Sequence, residues 1–116
     1  MNSVTLVGRV GGDPDVKYFE SGTVKSQFTL AVNRRKKDDA PDWFNCEAWG
    51  KTAEVIANYV TKGKQVAIKG HLKFDRWNDR HTGQERSRAV VHVDEIELLG
   101  SRSDTNAASE TEDDEI

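Results

Sequence analysis

Apolar and polar residues alternate along much of the first half of this chain. In the clearest stretch, residues 24–33, every second position is apolar apart from one serine, and mostly polar or charged residues fall between them. Successive side chains of a β-strand point to opposite faces, so this pattern predicts a strand with one buried face. The predicted buried side consists of Val24, Ser26, Phe28, Leu30 and Val32.

Shorter alternations precede this strand. Residues 4–10 predict a first strand, and the sequence Gly-Gly-Asp-Pro at residues 11–14 has the composition of a turn. Residues 16–19 predict a short strand extension. The first third of the chain therefore predicts two strands joined by a turn and this extension.

Residues 43–49 predict a third strand with an unusual outer face. Its inner side would be apolar, formed by Phe44, Cys46 and Ala48. Its outer side carries Trp43 and Trp49, with polar residues between them. The residues alone leave two explanations open for large rings on a polar face. Either unpaired nucleic-acid bases stack on them, or a neighbouring chain or a long loop covers them.

A helix follows this strand in the predicted order. Thr52 is a suitable N-cap for a helix that runs to about Val60. Apolar residues recur within it at helical spacing, which predicts one buried stripe. Gly63 suits a left-handed stop after the helix.

The last third of the chain predicts two further strands. Residues 65–73 alternate, residues 74–86 predict a hairpin with a turn near residues 81–83, and the last strand runs over residues 87–99. Its alternation slips between Val93 and Ile96, as a β-bulge would produce. Three strands, one helix and two strands are the connectivity of an OB-fold, so we predict a mainly β, five-stranded barrel with one helix.

Length and composition narrow the class of protein. A chain of 116 residues suits one domain with a small core. No run approaches the roughly 18 apolar residues of a membrane helix, and the first residues lack a secretory signal, so we expect a cytoplasmic protein. The single cysteine, Cys46, excludes an internal disulfide and is expected to be a small buried apolar residue.

The net charge of −3 is unevenly distributed. Residues 101–116 hold one basic and six acidic residues, a net charge of −5, whereas residues 1–100 have a net charge of +2. The terminal segment lacks the apolar residues needed to order itself. We therefore predict a folded domain over residues 1–100 and a disordered acidic tail over residues 101–116.

The chain shows no arrangement typical of an enzyme. It has neither a phosphate-binding loop nor a dinucleotide fingerprint. The three histidines, His71, His81 and His92, lie on separate segments without the spacing of metal ligands. We expect no catalytic activity, no cofactor and no bound metal.

Basic and aromatic residues are interleaved around the predicted third and fourth strands. Such a mixture is typical of a positively charged groove in which bases stack on rings and phosphates contact cations, and a duplex could not use it because its base faces are hidden. The candidate stacking residues are Trp43, Trp49, Trp77 and Phe74. The candidate phosphate ligands are Arg34, Arg35, Lys36, Lys51, Lys62, Lys69, Lys73, Arg76 and Arg86.

Several short motifs occur in combination over roughly residues 1–100. They are Val4-Thr5-Leu6-Val7-Gly8-Arg9-Val10, Phe28-Thr29-Leu30-Ala31-Val32, Trp43-Phe44-Asn45-Cys46, Gly50-Lys51-Thr52-Ala53-Glu54 and Ile68-Lys69-Gly70-His71-Leu72. With this combination the chain resembles the bacterial-type single-stranded DNA-binding proteins, and cyanobacterial members most of all. The resemblance implies a homotetramer that wraps single-stranded DNA in replication, recombination and repair, on the nucleoid, with stacking positions at Trp43, Trp49 and Trp77.

The chain departs from this family pattern in two places. The loop at residues 33–37 carries charge where the family often has another aromatic ring. The tail ends in acids and one apolar residue, without the Pro-Phe that ends family tails. The resemblance implies that replication and repair proteins bind the tip, through Asp113, Asp114, Glu115 and Ile116.

Three functions are consistent with these residues. The leading interpretation is a sequence-tolerant binder of single-stranded DNA. An RNA-binding OB-fold would use the same residues, because stacking does not depend on the sugar. A protein-interaction module would instead use the outer rings to contact another protein.

Overall fold

Five strands close into a barrel because the first strand pairs with two partners. The computed structural model describes residues 1–36 and 40–100. The barrel strands are β1 (Val4–Val10), β3 (Val24–Val32), β4 (Asp42–Trp49), β5 (Gln65–Asn78) and β6 (Glu85–Leu98). The short strand β2 (Asp15–Tyr18) pairs antiparallel with β3, and the helix α1 (Gly50–Tyr59) follows β4.

Barrel closure takes place at the end of β1. Most of this strand pairs antiparallel with β5, from Val4 opposite Gly70 to Arg9 opposite Gln65. Arg9 and Val10 also pair with β3, so the order β1-β5-β6-β4-β3 returns to β1. The prediction of a mainly β, five-stranded OB-fold with one helix is confirmed.

The alternation along the strands correctly predicts much of the core. On β3 the buried side chains include Phe28 and Leu30, and on β4 they include Cys46 and Ala48. Burial raises the pKa of the Cys46 thiol to about 12, so this cysteine stays protonated at neutral pH. Phe44 is only half-buried and packs against the edge of the core.

The helix begins earlier than predicted and ends within one residue of the predicted end, about Val60. It begins at Gly50, two residues before Thr52, because β4 runs directly into it and the extended residue Trp49 occupies the N-cap position without a side-chain cap. It ends at Tyr59, since Val60 is extended and buried in the core. Gly63 does have a positive φ of 85°, but it lies in the following turn.

A buried hydrogen bond fixes the helix against the barrel. The Ser26 hydroxyl on β3 donates to the Ala53 carbonyl over 2.8 Å. Ala53 and Ile56 are fully buried beneath it. With ten residues, α1 is the one helix in the described part of the chain, and it is too short to cross a membrane.

The strands β5 and β6 form a long hairpin with one irregularity. Lys69 pairs with Glu95 but the next residue, Gly70, pairs with Val93, which leaves Asp94 as an extra residue. This confirms the predicted β-bulge. The turn is also confirmed near its predicted position, where the Asp79 carboxylate accepts the backbone N–H of His81 over 2.7 Å.

Gly70 is required where β5 approaches the bulge. A Cβ at this position would overlap the carbonyl oxygen of His92 on the neighbouring strand. We expect Gly70→Ala to destabilise the protein by about 1–3 kcal/mol, because two hydrogen-bonded backbones must move apart. Urea denaturation measures the loss. Gly12→Ala is the matched control, since a Cβ there meets no atom within 4 Å; equal stability of the two variants would contradict this packing.

Candidate nucleic-acid interface

The outer faces of β3 and β4 form a shared surface with a tryptophan at each end. Trp43 lies opposite Ala31, and Trp49 lies opposite Lys25. Trp43 is 60% exposed and Trp49 is 39% exposed. The predicted outward orientation of both rings is therefore confirmed, and the described residues of the chain leave both rings accessible.

The ring of Trp43 rests against the backbone at the end of β1. A Cβ on Gly11 would overlap Cζ3 of this ring and would lie 2.7 Å from the hydroxyl of Thr29. Gly11 is itself fixed, because its N–H donates to the Thr29 carbonyl over 2.9 Å. The sequence indicated only a turn at Gly11, so its contact with the indole was missed.

Trp49 is surrounded by three different groups. The Phe19 ring stacks with it, at 5.8 Å between ring centroids and an interplanar angle of 18°. The Lys25 ammonium lies 5.1 Å from the ring centroid, within the range of a cation–π interaction. The indole N–H donates to the Glu47 carboxylate over 3.5 Å. These contacts orient the ring before any ligand arrives.

Glu47 is the one residue of this surface whose environment contradicts the sequence. Its position on the outer face of β4 predicts a solvated carboxylate, yet only 1% of it is exposed. The ammonium of Lys73 lies 2.6 Å from one carboxylate oxygen, and that of Lys25 lies 3.9 Å from the other. The side chains of Lys25 on β3 and Lys73 on β5 cover this carboxylate. The sequence pattern of β4 could not indicate this, because both lysines belong to other strands.

This contact changes the expected role of Lys73. Its hydrogen bond to Glu47 raises the pKa of the ammonium, and Asp75, 3.5 Å away, adds to the effect. As a predicted phosphate ligand, Lys73 is therefore already paired with carboxylates. A phosphate would have to compete with Glu47 for it.

The two remaining aromatic candidates, Trp77 and Phe74, lie on opposite faces of β5 in the outer part of the β5–β6 hairpin. Trp77 is 48% exposed and lies opposite Arg86. Side chains alternate along β5, so Trp77 shares a face with Lys69 and Lys73. Phe74 and Arg76 are exposed on the other face of the strand. The structure thus brings Trp77, but not Phe74 or Arg76, to the side that carries Lys73.

The other predicted phosphate ligands are distributed around this surface. The Arg34 guanidinium contacts the Asp42 carboxylate at 3.0 Å, an exposed pair of little net stability. Lys51 is exposed and follows Trp49 closely, in the first turn of α1. The backbone N–H of Lys62 donates to Asp13, near the end of β1.

Four candidates remain to be placed. Lys69 is exposed on β5 opposite Thr5 and Glu95, and Arg35 and Lys36 are exposed in the loop after β3. Arg86 lies 3.4 Å from the Asp79 carboxylate. The predicted partner-binding residues of the tail, Asp113 to Ile116, lie outside the described residues.

Two histidines predicted to be unrelated lie side by side. His71 and His92 occupy opposite positions on β5 and β6, and their rings stack at 4.8 Å between centroids. Asp94 lies 3.3 Å from His71 and 3.7 Å from His92. Within residues 1–36 and 40–100, no group of three histidine, cysteine or acidic side chains is arranged to bind a metal ion.

Comparison with known proteins gives a consistent result. Residues 1–99 match the Single-strand binding protein family. The chain is 62% identical over 109 residues to the Single-stranded DNA-binding protein 1 of Nostoc sp., an alignment that covers 94% of this chain and 92% of the relative. It is 61% identical over 106 residues to the Single-stranded DNA-binding protein of Thermosynechococcus vestitus, covering 91% and 88% of the two chains.

Similarity extends to more distant relatives. The Single-stranded DNA-binding protein of Clostridium perfringens is 40% identical over 102 residues, which cover 87% of this chain and 67% of that protein.

The contact between Gly11 and Trp43 leads to a first test of the site. In a variant whose single tryptophan is Trp43, Gly11→Ala should shift the fluorescence emission to longer wavelength and increase quenching by acrylamide, because the indole must move away from residue 11 into solvent. An exposed ring can swing outward, so the stability cost is expected at the low end of about 1–3 kcal/mol. Gly12→Ala should leave the emission unchanged. The same spectrum in both variants would show that Gly11 does not position the indole.

The pairing of Lys73 with buried Glu47 leads to a second test. We expect Lys73→Met to destabilise the protein by about 1–3 kcal/mol at neutral pH, because the buried carboxylate loses its shortest contact. Adding Glu47→Gln should recover most of this loss, since no buried charge then remains. Urea denaturation of both variants measures the effect, and a double variant no more stable than Lys73→Met would argue against the pairing.

The raised pKa of Lys73 also fixes a pH dependence. A raised value means that the folded state holds the proton more tightly than the unfolded state. The stabilisation is therefore complete below the ordinary value of 10.5 and is lost as the pH rises through the folded-state pKa. The stability difference between the native protein and Lys73→Met should accordingly shrink above about pH 10.5.

Proposed function

Since the chain belongs to the single-strand binding protein family, we propose that it binds and protects single-stranded DNA without sequence preference. The observation that carries this proposal is the accessibility of Trp43, Trp49 and Trp77 on outer strand faces. Large apolar rings left exposed among cations make a surface on which unpaired bases stack.

Base stacking would supply the sequence tolerance. Every base has a flat π-face, and a stacked base contributes on the order of 1–3 kcal/mol. A duplex keeps its base faces inside and cannot use the rings. Trp43 and Trp49 lie on β4 and Trp77 lies on β5, so a bound DNA strand would cross β4 and the outer part of the β5–β6 hairpin. Phe74 lies on the other face of β5, so a DNA strand that also contacted Phe74 would have to pass around the hairpin.

Phosphate contacts would supply the salt dependence. Within the described residues, Lys51, Lys62 and Lys69 form no ion pair, so their charges are available; Arg76 forms none either but lies on the other face of β5. Arg35 and Lys36 extend this positive surface into the loop after β3. Lys73, Arg34 and Arg86 already contact carboxylates and would have to exchange these contacts for phosphates.

The names of the relatives distinguish the competing interpretations. All of those compared are called single-stranded DNA-binding proteins, which favours DNA over RNA and a binding role over an enzymatic one. An RNA ligand would use the same rings. A protein partner would bury them without requiring the cations. We infer roles in replication, recombination and repair, in the cytoplasm and at the nucleoid.

Assembly into a homotetramer fits the first strand. Over residues 4–8, one edge of β1 pairs with β5, and its other edge has no strand partner among the described residues. Val7 on this strand is 47% exposed. A second copy could pair with this edge, and joining several short grooves increases the affinity for a long strand.

The acidic tail has a separate proposed role. Its residues Asp113, Asp114, Glu115 and Ile116 would contact replication and repair proteins, while residues 1–100 form the DNA-binding domain. An acidic segment tethered near the cations would also compete with DNA at low salt.

The tetramer is tested by multi-angle light scattering of the full chain at micromolar concentration. We expect about four chain masses, since pairing through the β1 edge would join two chains and the family resemblance implies two such pairs. A single chain mass under these conditions would contradict the proposed assembly.

DNA binding is tested by tryptophan fluorescence during titration with oligothymidylate. We expect strong quenching, and an affinity that falls as salt rises because phosphate contacts release counterions. Trp43→Ala should weaken binding by about 1–3 kcal/mol and leave thermal stability nearly unchanged, since the ring is mostly exposed. Duplex of equal length is the control, and matched RNA tests the choice of sugar. Equal affinity for duplex and single strand would overturn the proposal.

A further inference from the structure

The hairpin formed by β2 and β3 carries an aromatic ring that the predicted groove does not include. Phe19 follows β2 directly, and its N–H donates to the Thr23 carbonyl over 2.9 Å, which fixes its backbone at the hairpin end. The ring stacks with Trp49 at 5.8 Å and 18°, yet 43% of Phe19 remains exposed. A ring that is both stacked and exposed continues the aromatic surface of Trp49 outward.

Two lysines accompany this pair of rings. Lys17 on β2 lies directly opposite Lys25 on β3. Like charges in directly opposite positions of neighbouring strands destabilise the pair, and an anion between or beside them relieves the repulsion. Lys25 also lies over the Trp49 ring and 3.9 Å from the Glu47 carboxylate, so a phosphate bound beside the stacked rings would share this ammonium with Glu47. A phosphate and an adjacent base are the two groups of a nucleotide that such a place accommodates.

The neighbouring residue provides a contrast. Tyr18 is 74% exposed and lies opposite Val24, a core residue of β3. Cross-strand partners point to the same face, so Tyr18 lies on the face of the hairpin opposite to that of Lys17 and Lys25. Two aromatic residues that are adjacent in sequence therefore have different relations to Trp49.

We propose that the β2–β3 hairpin is an additional contact for the single strand, in which Phe19 extends the Trp49 stack by one base and Lys17 and Lys25 bind the adjoining phosphate. The proposal rests on the proposed function, because it lengthens the same surface. In this proposal, the path of the DNA strand on this side of the barrel ends at the hairpin and not at Trp49.

Photo-crosslinking with an oligothymidylate that carries 5-iodouracil tests the contact directly. Trypsin cleaves after Lys17 and Lys25, so a crosslink at Phe19 appears in the peptide of residues 18–25, which contains no tryptophan. We expect crosslinks in this peptide and in the tryptophan peptides. Crosslinks confined to the tryptophan peptides would overturn the hairpin contact and leave the proposed function standing. Absence of any crosslink would count against both.

Affinity measurements separate a stacking ring from a merely supporting one. Phe19→Leu keeps an apolar group against Trp49 but removes the π-face, and we expect affinity for oligothymidylate to fall about 5-fold or more. Phe19→Tyr should retain the native affinity. Tyr18→Leu, the matched control, should change it less than about 2-fold, a smaller effect than the loss of one stacked base. Equal affinities for Phe19→Leu and the native protein would overturn the assignment of Phe19.

The phosphate part of the proposal has its own measurement. Lys17→Gln should reduce the slope of log affinity against log salt concentration by about 0.7, the value for one phosphate contact with a single strand. An unchanged slope would remove Lys17 from the contact.

Discussion

Barrel closure by β1 is the constraint on which the rest of the structure depends. This strand pairs with β5 along most of its length and with β3 at its end, so a sheet that would otherwise have two edges becomes a ring. The crossing is tight, since a Cβ on Gly8 would overlap the Ala31 carbonyl. In the closed barrel, side chains from β3 and β5 reach the same point on β4, where Lys25 and Lys73 both contact Glu47. Gly11 lies just beyond the crossing, and the Trp43 indole packs against its backbone.

Buried Glu47 organises the centre of this outer surface. It holds the ammonium of Lys73 at 2.6 Å and accepts the indole N–H of Trp49, so a single carboxylate links β4, β5 and one stacking ring. A buried charge is tolerated only when it is paired and hydrogen-bonded. The orientation of the Trp49 ring therefore depends on the Glu47–Lys73 pair. The same pair reduces the positive potential of the surface, because Glu47 neutralises the Lys73 ammonium.

Much of the fold could be predicted because local periodicity reports burial. The alternation over β3 identified its buried side, and the slip in alternation near Asp94 marked the bulge. The helix start was wrong because capping propensity at Thr52 was outweighed by tertiary context: β4 continues directly into the helix. In the site, the outward rings Trp43, Trp49 and Trp77 were predictable. The alternation of side chains along β5 places Phe74 and Trp77 on opposite faces, and this could also have been inferred from their spacing in the sequence.

The sequence by itself determined the strand pattern, the single helix, the exposed tryptophans and the segregation of acidic charge to residues 101–116, because each is a property of neighbouring positions. Tertiary structure alone decided which distant residues meet. Phe19 reaches Trp49, and Gly11 reaches Trp43, across strands that are separate in the chain. Lys73 buries Glu47 from a strand beyond the helix. No local pattern records these contacts, since they depend on strand register and barrel closure, which are set by the packing of the whole core.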